Sequence, residues 1–202
     1  MTNQDPSARP IFGLENLEPR QLLSAGFDAG DPSFAQLGDG NRSAILEDVD
    51  GDGITDAILF KNSRESFEVR LGNGEGSFGE PESVAFEFAS GVRPILADIT
   101  GDGVPDVVGI HEGSGGDVAL TYRINDGRGN FSNGIDLVLG DGVASGFLIP
   151  GDADTDGDVD VFFSQDRGAD DDRLFQISSR GETSSGFFGG FELESSRTIN
   201  FR

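Results

Sequence analysis

The sequence contains no cysteine and no tryptophan, and it has one lysine (Lys61) and one histidine (His111) among 202 residues. The absence of cysteine excludes disulfides and thiolate metal sites, but it leaves the cellular compartment open. No apolar run approaches the roughly 18 residues of a membrane-spanning helix, so we expect no membrane insertion. Residues 1–25 also lack the apolar core that is recognisable in a signal peptide.

Positive charge is scarce as well. Lysine and arginine total 14 against 37 aspartate and glutamate residues, which gives a formal net charge of −23 at pH 7. Binding to nucleic acid requires a basic face that neutralises phosphates, so we expect no nucleic-acid partner. The same negative charge disfavours an anionic membrane surface.

Many of the acidic residues lie in a nine-residue loop that occurs three times. The copies begin at Asp48, Asp98 and Asp152, so their starts lie 50 and then 54 residues apart. A repeat of about 50 residues is typical of propeller blades and related arrays. Closely spaced carboxylates repel one another unless a cation neutralises them. The loop therefore predicts a propeller-like repeat architecture and a cation-binding site.

Short apolar runs flank each loop, and they are too short for helices. The chain is rich in glycine (31) and phenylalanine (17), as expected of short strands joined by tight turns. The predicted strands are residues 44–46, 57–60, 67–71 and 83–88; then 94–96, 107–110, 119–124 and 134–139; then 147–149, 161–163 and 191–194. The third strand of the first two units alternates between apolar and polar residues, which predicts one buried and one solvated face. We therefore predict an all-β fold, a partial β-propeller of about three four-stranded antiparallel blades.

The domain boundaries are predicted from the proline-rich composition of the N-terminal residues and from the start of the repeat. Residues 1–32 are polar and interrupted by prolines, which predicts a flexible N-terminal leader or linker. The propeller blades are predicted over residues 33–202, in units of about 33–90, 91–144 and 145–202. Residues 33–37 are predicted to form an additional strand ahead of the first full unit.

Each loop presents oxygen ligands at regular positions. Counted from the first aspartate, side-chain oxygens stand at positions 1, 3, 5 and 9, and the carbonyl of position 7 can add a ligand. This set suits Ca²⁺, which accepts about six to eight oxygens in flexible geometry, and we predict about three ions. The loops contain no histidine or cysteine, which disfavours zinc and copper. The candidate ligands are Asp48, Asp50, Asp52, Ile54, Asp56, Asp98, Thr100, Asp102, Val104, Asp106, Asp152, Asp154, Asp156, Asp158 and Asp160.

The EF-hand is the alternative interpretation of such a loop. It requires a bidentate glutamate at position 12 and a helix on each side. Position 12 is Leu59, Gly109 or Phe163, inside the strand that follows each loop. The flanking residues therefore favour a calcium loop between two strands.

The chain resembles the FG-GAP/VCBS repeat family over about residues 34–195. The resemblance is carried by the three acidic loops, by the strands on either side, and by Leu71-Gly72-Asn73-Gly74-Glu75-Gly76-Ser77-Phe78-Gly79. It implies a calcium-bearing β-propeller, usually seven-bladed, like the head of integrin α chains, and an extracellular role in adhesion or sugar handling. The ligands that the resemblance implies are Asp48, Asp50, Asp52, Asp56, Asp98, Asp102, Asp106, Asp152, Asp154, Asp156 and Asp160.

Two departures from the family pattern matter. Thr100 replaces aspartate at position 3 of the second loop, so we expect the weakest calcium site there. The other departure is the number of blades, because three blades do not close a ring. We therefore expect either further blades or self-association.

The resulting functional hypothesis is a noncatalytic module of an exported bacterial protein, located outside the cell or on its surface. It would bind a glycan or protein ligand, and its calcium would be structural. The alternative is part of a propeller enzyme of the lyase or dehydratase type that acts on polysaccharide. His111 is the candidate base for that chemistry.

Overall fold

The computed structural model describes residues 39–113, 115–142, 144–153, 155, 157, 159–166, 172–179 and 191–199. The predicted leader over residues 1–32 and the predicted strand over residues 33–37 lie outside these ranges, so both remain predictions. Within the described residues the chain forms twelve strands and no helix.

The strands form three four-stranded sheets. In chain order they are β1 (Asn41–Glu47), β2 (Asp56–Lys61), β3 (Ser66–Arg70), β4 (Glu82–Ala85), β5 (Ile95–Ala97), β6 (Asp106–Glu112), β7 (Asp117–Arg123), β8 (Ile135–Asp141), β9 (Gly146–Gly151), β10 (Asp160–Gln165), β11 (Asp172–Ser179) and β12 (Phe191–Ile199). Each sheet contains four consecutive strands, and all neighbours pair antiparallel. The all-β prediction is confirmed, and the three sheets are consistent with a partial propeller. The sequence pattern identified no segment for β11.

Consecutive sheets are joined by two apolar cores. Between the first and second sheets, Phe60, Phe67 and Phe86 pack with Val107, and the rings of Phe67 and Phe131 meet edge to face at 5.2 Å. Aromatic pairs favour this geometry because the positive ring edge meets the negative face.

A second core joins the second and third sheets, and it is built from the opposite face of the second sheet. Val108 and Leu120 pack there with Phe163 and Ile177. Val107 and Val108 are adjacent in β6 and therefore point to opposite faces, one into each core. The two central strands of the second sheet, β6 and β7, are thus buried on both faces.

This arrangement corrects one expectation. The predicted alternation holds in β3, where Phe67 and Val69 are buried and the residues between and beside them are half-buried. In β7 every residue from Val118 to Arg123 is buried. The prediction of a solvated face was wrong for β7 because its sheet is covered on both sides.

The glycine-rich turns after β3 and β7 have the conformation expected of them. Gly74 and Gly76 have φ values of 73° and 84°, in the left-handed region that favours glycine. Short antiparallel bridges close the two turns, one between Gly72 and Phe78 and the other between Asn125 and Phe131. Phe131 then packs, partly buried, against the core between the first two sheets.

Gly109 gives a test of this sheet-to-sheet packing. A Cβ atom at Gly109 would lie 2.7 Å from Cζ of Phe86, whose ring is completely buried. We expect Gly109→Ala to lower the free energy of unfolding by about 1–3 kcal/mol, because overpacking forces the core to shift. Urea denaturation measures the change.

Gly151→Ala is the matched control, because a Cβ there meets no heavy atom within 4 Å. It should leave the free energy of unfolding nearly unchanged. Equal stabilities for the two variants would contradict the proposed packing.

Candidate metal-binding loops

The three acidic loops occupy the same place in the three sheets. Each one connects the first strand of its sheet to the second, between β1 and β2, β5 and β6, or β9 and β10. The first aspartate holds the loop in shape. The Oδ1 atom of Asp48 accepts a hydrogen bond from the Gly51 N–H at 2.8 Å, and its Oδ2 atom accepts one from the Gly53 N–H at 2.9 Å.

The other two loops repeat these bonds. Asp98 accepts from the N–H groups of Gly101 at 2.8 Å and Gly103 at 2.9 Å. Asp152 accepts from those of Thr155 at 2.7 Å and Gly157 at 3.2 Å. Position 1 is thus a structural acceptor in all three loops. In the second loop Oδ1 of Asp98 also accepts from the N–H of Asp102 at 3.2 Å, so fewer of its lone pairs face a cation there.

Positions 4 and 6 of each loop adopt a left-handed backbone. Position 6 is glycine in all three loops, and Gly53, Gly103 and Gly157 have positive φ values. Position 4 is left-handed as well, a feature that was not predicted from the sequence. It is glycine in the first two loops, but in the third it is Thr155, with φ of 67°. A β-branched residue is strained in this conformation.

Position 9 of each loop is a buried carboxylate. Asp56 is 1% exposed, and it accepts hydrogen bonds from the N–H of Val49 at 2.9 Å and the N–H of Gly72 at 2.7 Å. The first bond ties the loop to itself, and the second ties it to the end of β3. Asp56 was predicted as a metal ligand, and the structure gives it this anchoring role in addition.

Both bonds recur in the other sheets. Asp106 accepts from the N–H groups of Ile99 at 3.1 Å and Asn125 at 2.8 Å. Asp160 accepts from those of Ala153 and Ser179, both at 2.8 Å. The partner after the third strand lies 16, 19 and 19 residues beyond the aspartate in the three sheets. This nearly constant spacing is the signal that could have identified Gly72, Asn125 and Ser179 from the sequence.

The same partner residues connect successive loops. The side-chain amide of Asn125 donates to the carbonyl of Val49 in the first loop at 2.8 Å. The hydroxyl of Ser179 donates to the carbonyl of Ile99 in the second loop at 3.3 Å. Each residue therefore bonds the aspartate of its own sheet through the backbone and the preceding loop through its side chain.

The carboxylates of the first loop converge. Oxygen atoms of Asp48, Asp50 and Asp56 all lie within 4.8 Å of one another, and the described residues contain no other such group of histidine, cysteine or acidic side chains. The pKa of Asp50 is raised, first by burial and then by repulsion from Asp56, Asp52 and Asp48. Three carboxylates in this arrangement favour a cation, because it would relieve their repulsion.

In the second loop, burial is the main influence on the pKa of one carboxylate, that of Asp106. Burial raises the pKa of Asp106 to about 7, although hydrogen bonds from Asn125 and Ile99 act in the opposite direction. Thr100 is buried, and its hydroxyl lies 3.5 Å from Oδ1 of Asp98. The threonine removes the carboxylate that completes the group in the first loop. That the second site is the weakest stays a prediction.

The remaining predicted ligands are placed as follows. Asp52 and Asp102 are exposed, and each accepts a hydrogen bond from the N–H two residues later, that of Ile54 at 2.7 Å or Val104 at 3.0 Å. Asp154, Asp156 and Asp158 lie outside the described residues. The carbonyl ligands predicted at position 7 also stay predictions.

Comparison with known protein families supports the expected resemblance of the first two loops to an FG-GAP-like repeat. Residues 48–109 match the family model of the FG-GAP-like repeat. This segment therefore resembles an FG-GAP-like repeat. It begins at the first aspartate of the first loop and ends within β6, so one match contains both the first and second loops. The expected family resemblance is therefore confirmed for this part of the chain.

One solved structure and the curated proteins complete the comparison. The chain is similar to part of the Photorhabdus luminescens Tc holotoxin pore, with 21% identity and a TM-score of 0.45. The similarity covers 77% of this chain and 7% of the length of that chain. No curated protein matches the chain.

The anchoring role of position 9 can be tested at Asp56. We expect Asp56→Ala to lower the free energy of unfolding by about 2–4 kcal/mol in the presence of a chelator, because two buried N–H groups lose a charged acceptor. Asp52→Ala is the control, since Asp52 is exposed and accepts one local bond. Chemical denaturation with EDTA measures both. Equal losses would show that Asp56 has no anchoring role without a cation.

The strain at position 4 of the third loop gives a second test. We expect Thr155→Gly to raise the free energy of unfolding by about 1 kcal/mol, because glycine tolerates the left-handed backbone. The reciprocal Gly51→Thr should lower it by a similar amount, since a Cβ at Gly51 meets no neighbour and only strain is added. Changes of the same sign in thermal or urea unfolding would refute the assignment of strain.

Proposed function

We propose that the chain is a noncatalytic, calcium-stabilised FG-GAP repeat module of an exported bacterial protein. The observation that carries the proposal is the group of Asp48, Asp50 and Asp56 in the first loop, whose oxygens lie within 4.8 Å of one another. Carboxylate oxygens without histidine or cysteine favour a hard cation, and the flexible geometry of a loop suits Ca²⁺ better than Mg²⁺.

In this proposal calcium has a structural role. Asp48, Asp50, Asp52 and Asp56 would hold one ion in the first loop, together with the carbonyl of Ile54. The ion would supply positive charge that neutralises the carboxylates between β1 and β2. Similar ions would occupy the second and third loops, with the ligands predicted from the sequence.

The proposed role is adhesion or recognition of a glycan or protein outside the cell or on its surface. The support is the FG-GAP-like repeat together with the net charge of −23, which opposes binding to nucleic acid. No helix among the described residues is long and apolar enough to cross a membrane. Additional blades, or copies of the chain that associate with it, would complete a ring.

One cavity favours the alternative of a polysaccharide-acting enzyme. His111 lies in β6 and lines a cavity of about 300 Å³ together with Glu65, Arg123 and Asp136. Its Nε2 atom is 3.6 Å from Oδ2 of Asp136, and its buried Nδ1 atom makes no hydrogen bond. Activity on uronate polysaccharides that disappears in His111→Ala would favour this alternative.

A calcium titration tests the first proposal. Ligands that bind only the folded state stabilise it by mass action, by about 2.7 kcal/mol per site at a concentration of 100 times Kd. We therefore expect calcium to raise the melting temperature and EDTA to lower it. Differential scanning calorimetry measures the shift.

Asp50→Ala should reduce the calcium-dependent shift, because it removes one of the three clustered carboxylates. Asp39→Ala is the control, since Asp39 is an exposed acid outside the loops. A melting temperature that is the same in calcium and in EDTA would refute the calcium proposal.

A further inference from the structure

The only lysine of the chain lies in an unusual setting, away from the acidic loops. The Nζ atom of Lys61 donates a hydrogen bond to Oδ1 of Asn41 at 3.0 Å and lies 2.6 Å from Oε1 of Glu68. The three residues belong to β2, β1 and β3, which are adjacent strands of the first sheet. A primary amine is therefore in contact with both a carboxamide and a carboxylate.

The strand register explains how the three side chains meet. Asn41 pairs directly with Lys61, and the register shifts between Asn41 and Ser43. Such an irregularity can re-aim a side chain at the end of a strand. Glu68 pairs with Leu59, two residues before Lys61, so Glu68 and Lys61 project from the same face of the sheet.

The surroundings limit access of water to the group. The side chains of Lys61 and Glu68 are 18% and 16% exposed. Nη2 of Arg70 lies 3.6 Å from Oε2 of Glu68, and this buried oxygen makes no hydrogen bond. Glu68 is thus held between Lys61 and Arg70, with one carboxylate oxygen in direct contact with the amine.

These contacts supply the three components of an amide exchange: a nucleophile, an electrophile and a proton-transfer group. Because the structure holds the amine against the oxygen of the carboxamide, the reaction would be intramolecular, which greatly favours it over the same reaction in solution. Amines are nucleophilic only when neutral, so a neighbouring base that takes their proton activates them. Glu68 occupies the position of such a base.

We propose that Lys61 and Asn41 form an intramolecular isopeptide bond, with Glu68 as the catalytic residue. Glu68 takes a proton from the Lys61 ammonium, and the neutral Nζ attacks Cγ of Asn41. The tetrahedral intermediate loses a proton from Nζ, and the leaving nitrogen gains one through Glu68. The Cγ–Nδ2 bond then breaks, an Nζ–Cγ amide remains, and ammonia is released. The ammonia takes the remaining proton from Glu68 and leaves as ammonium, which restores the carboxylate. No oxidant or reductant is needed.

The bond would close the β1–β2 hairpin at the end opposite to the first acidic loop. Asn41 stands at the start of β1 and Lys61 at the end of β2, while the loop joins the other ends of these strands. Covalent closure of a loop stabilises a fold mainly by restricting the unfolded chain. The inference is independent of calcium, and its failure would leave the proposed function unaffected.

Mass spectrometry of the denatured full-length protein tests the proposal. We expect the intact mass to be lower than the sequence mass by one ammonia. Trypsin should leave Lys61 uncut and should release peptides 21–42 and 43–64 joined to each other, although the chain is cleaved between Arg42 and Ser43. This joined pair also separates the proposed bond from ammonia loss by succinimide formation at the Asn73-Gly74 sequence.

Three variants serve as controls, each removing one component. Asn41→Ala removes the electrophile, Lys61→Arg keeps the charge without a reactive amine, and Glu68→Gln removes the base. All three should show the full sequence mass and separate tryptic peptides. A wild-type protein with the full sequence mass and normal tryptic cleavage after Lys61 would overturn the proposal.

Discussion

A buried aspartate at the end of each acidic loop is the interaction on which the rest of the structure depends. Asp56, Asp106 and Asp160 are each 1% exposed or less, and each accepts two backbone hydrogen bonds. One bond shapes the loop and the other ties it to the end of the third strand of the same sheet. A buried carboxylate is costly unless it is hydrogen-bonded, so this arrangement fixes the loop strongly.

The same anchor links the sheets to one another. Asn125 and Ser179 contact the aspartate of their own sheet and the loop of the preceding sheet. Gly72 holds the equivalent position in the first sheet without a side chain. Polar links at one end of the sheets thus accompany the apolar cores between their faces, and together they set the register of successive repeats.

The all-β fold, the four-stranded units and the glycine-rich turns were predictable from the sequence because they depend on local patterns and on repetition, although β11 was not identified. The solvated face expected of β7 was wrong, because burial depends on neighbouring sheets that a local pattern does not reveal. The anchoring role of Asp56 was missed because its partner Gly72 has no side chain and lies far along the chain. The left-handed backbone at Thr155 was missed because threonine gives no signal for that conformation.

The cluster of Asp48, Asp50 and Asp56 brings together the backbone anchor of the loop and the carboxylates of the proposed calcium site. Asp56 anchors the loop through the backbone, while Asp48 and Asp50 bring further carboxylate oxygens to it. A loop whose shape is already fixed loses little conformational freedom when a cation binds. The anchor therefore prepares the proposed calcium site.

Amide hydrogen exchange of Gly72, Asn125 and Ser179, followed by NMR in the presence of a chelator, tests the central claim most directly. If the buried aspartates anchor the loops by themselves, these three amides are strongly protected without calcium. Exchange at the rate of an unstructured peptide, with protection only after calcium is added, would contradict the account.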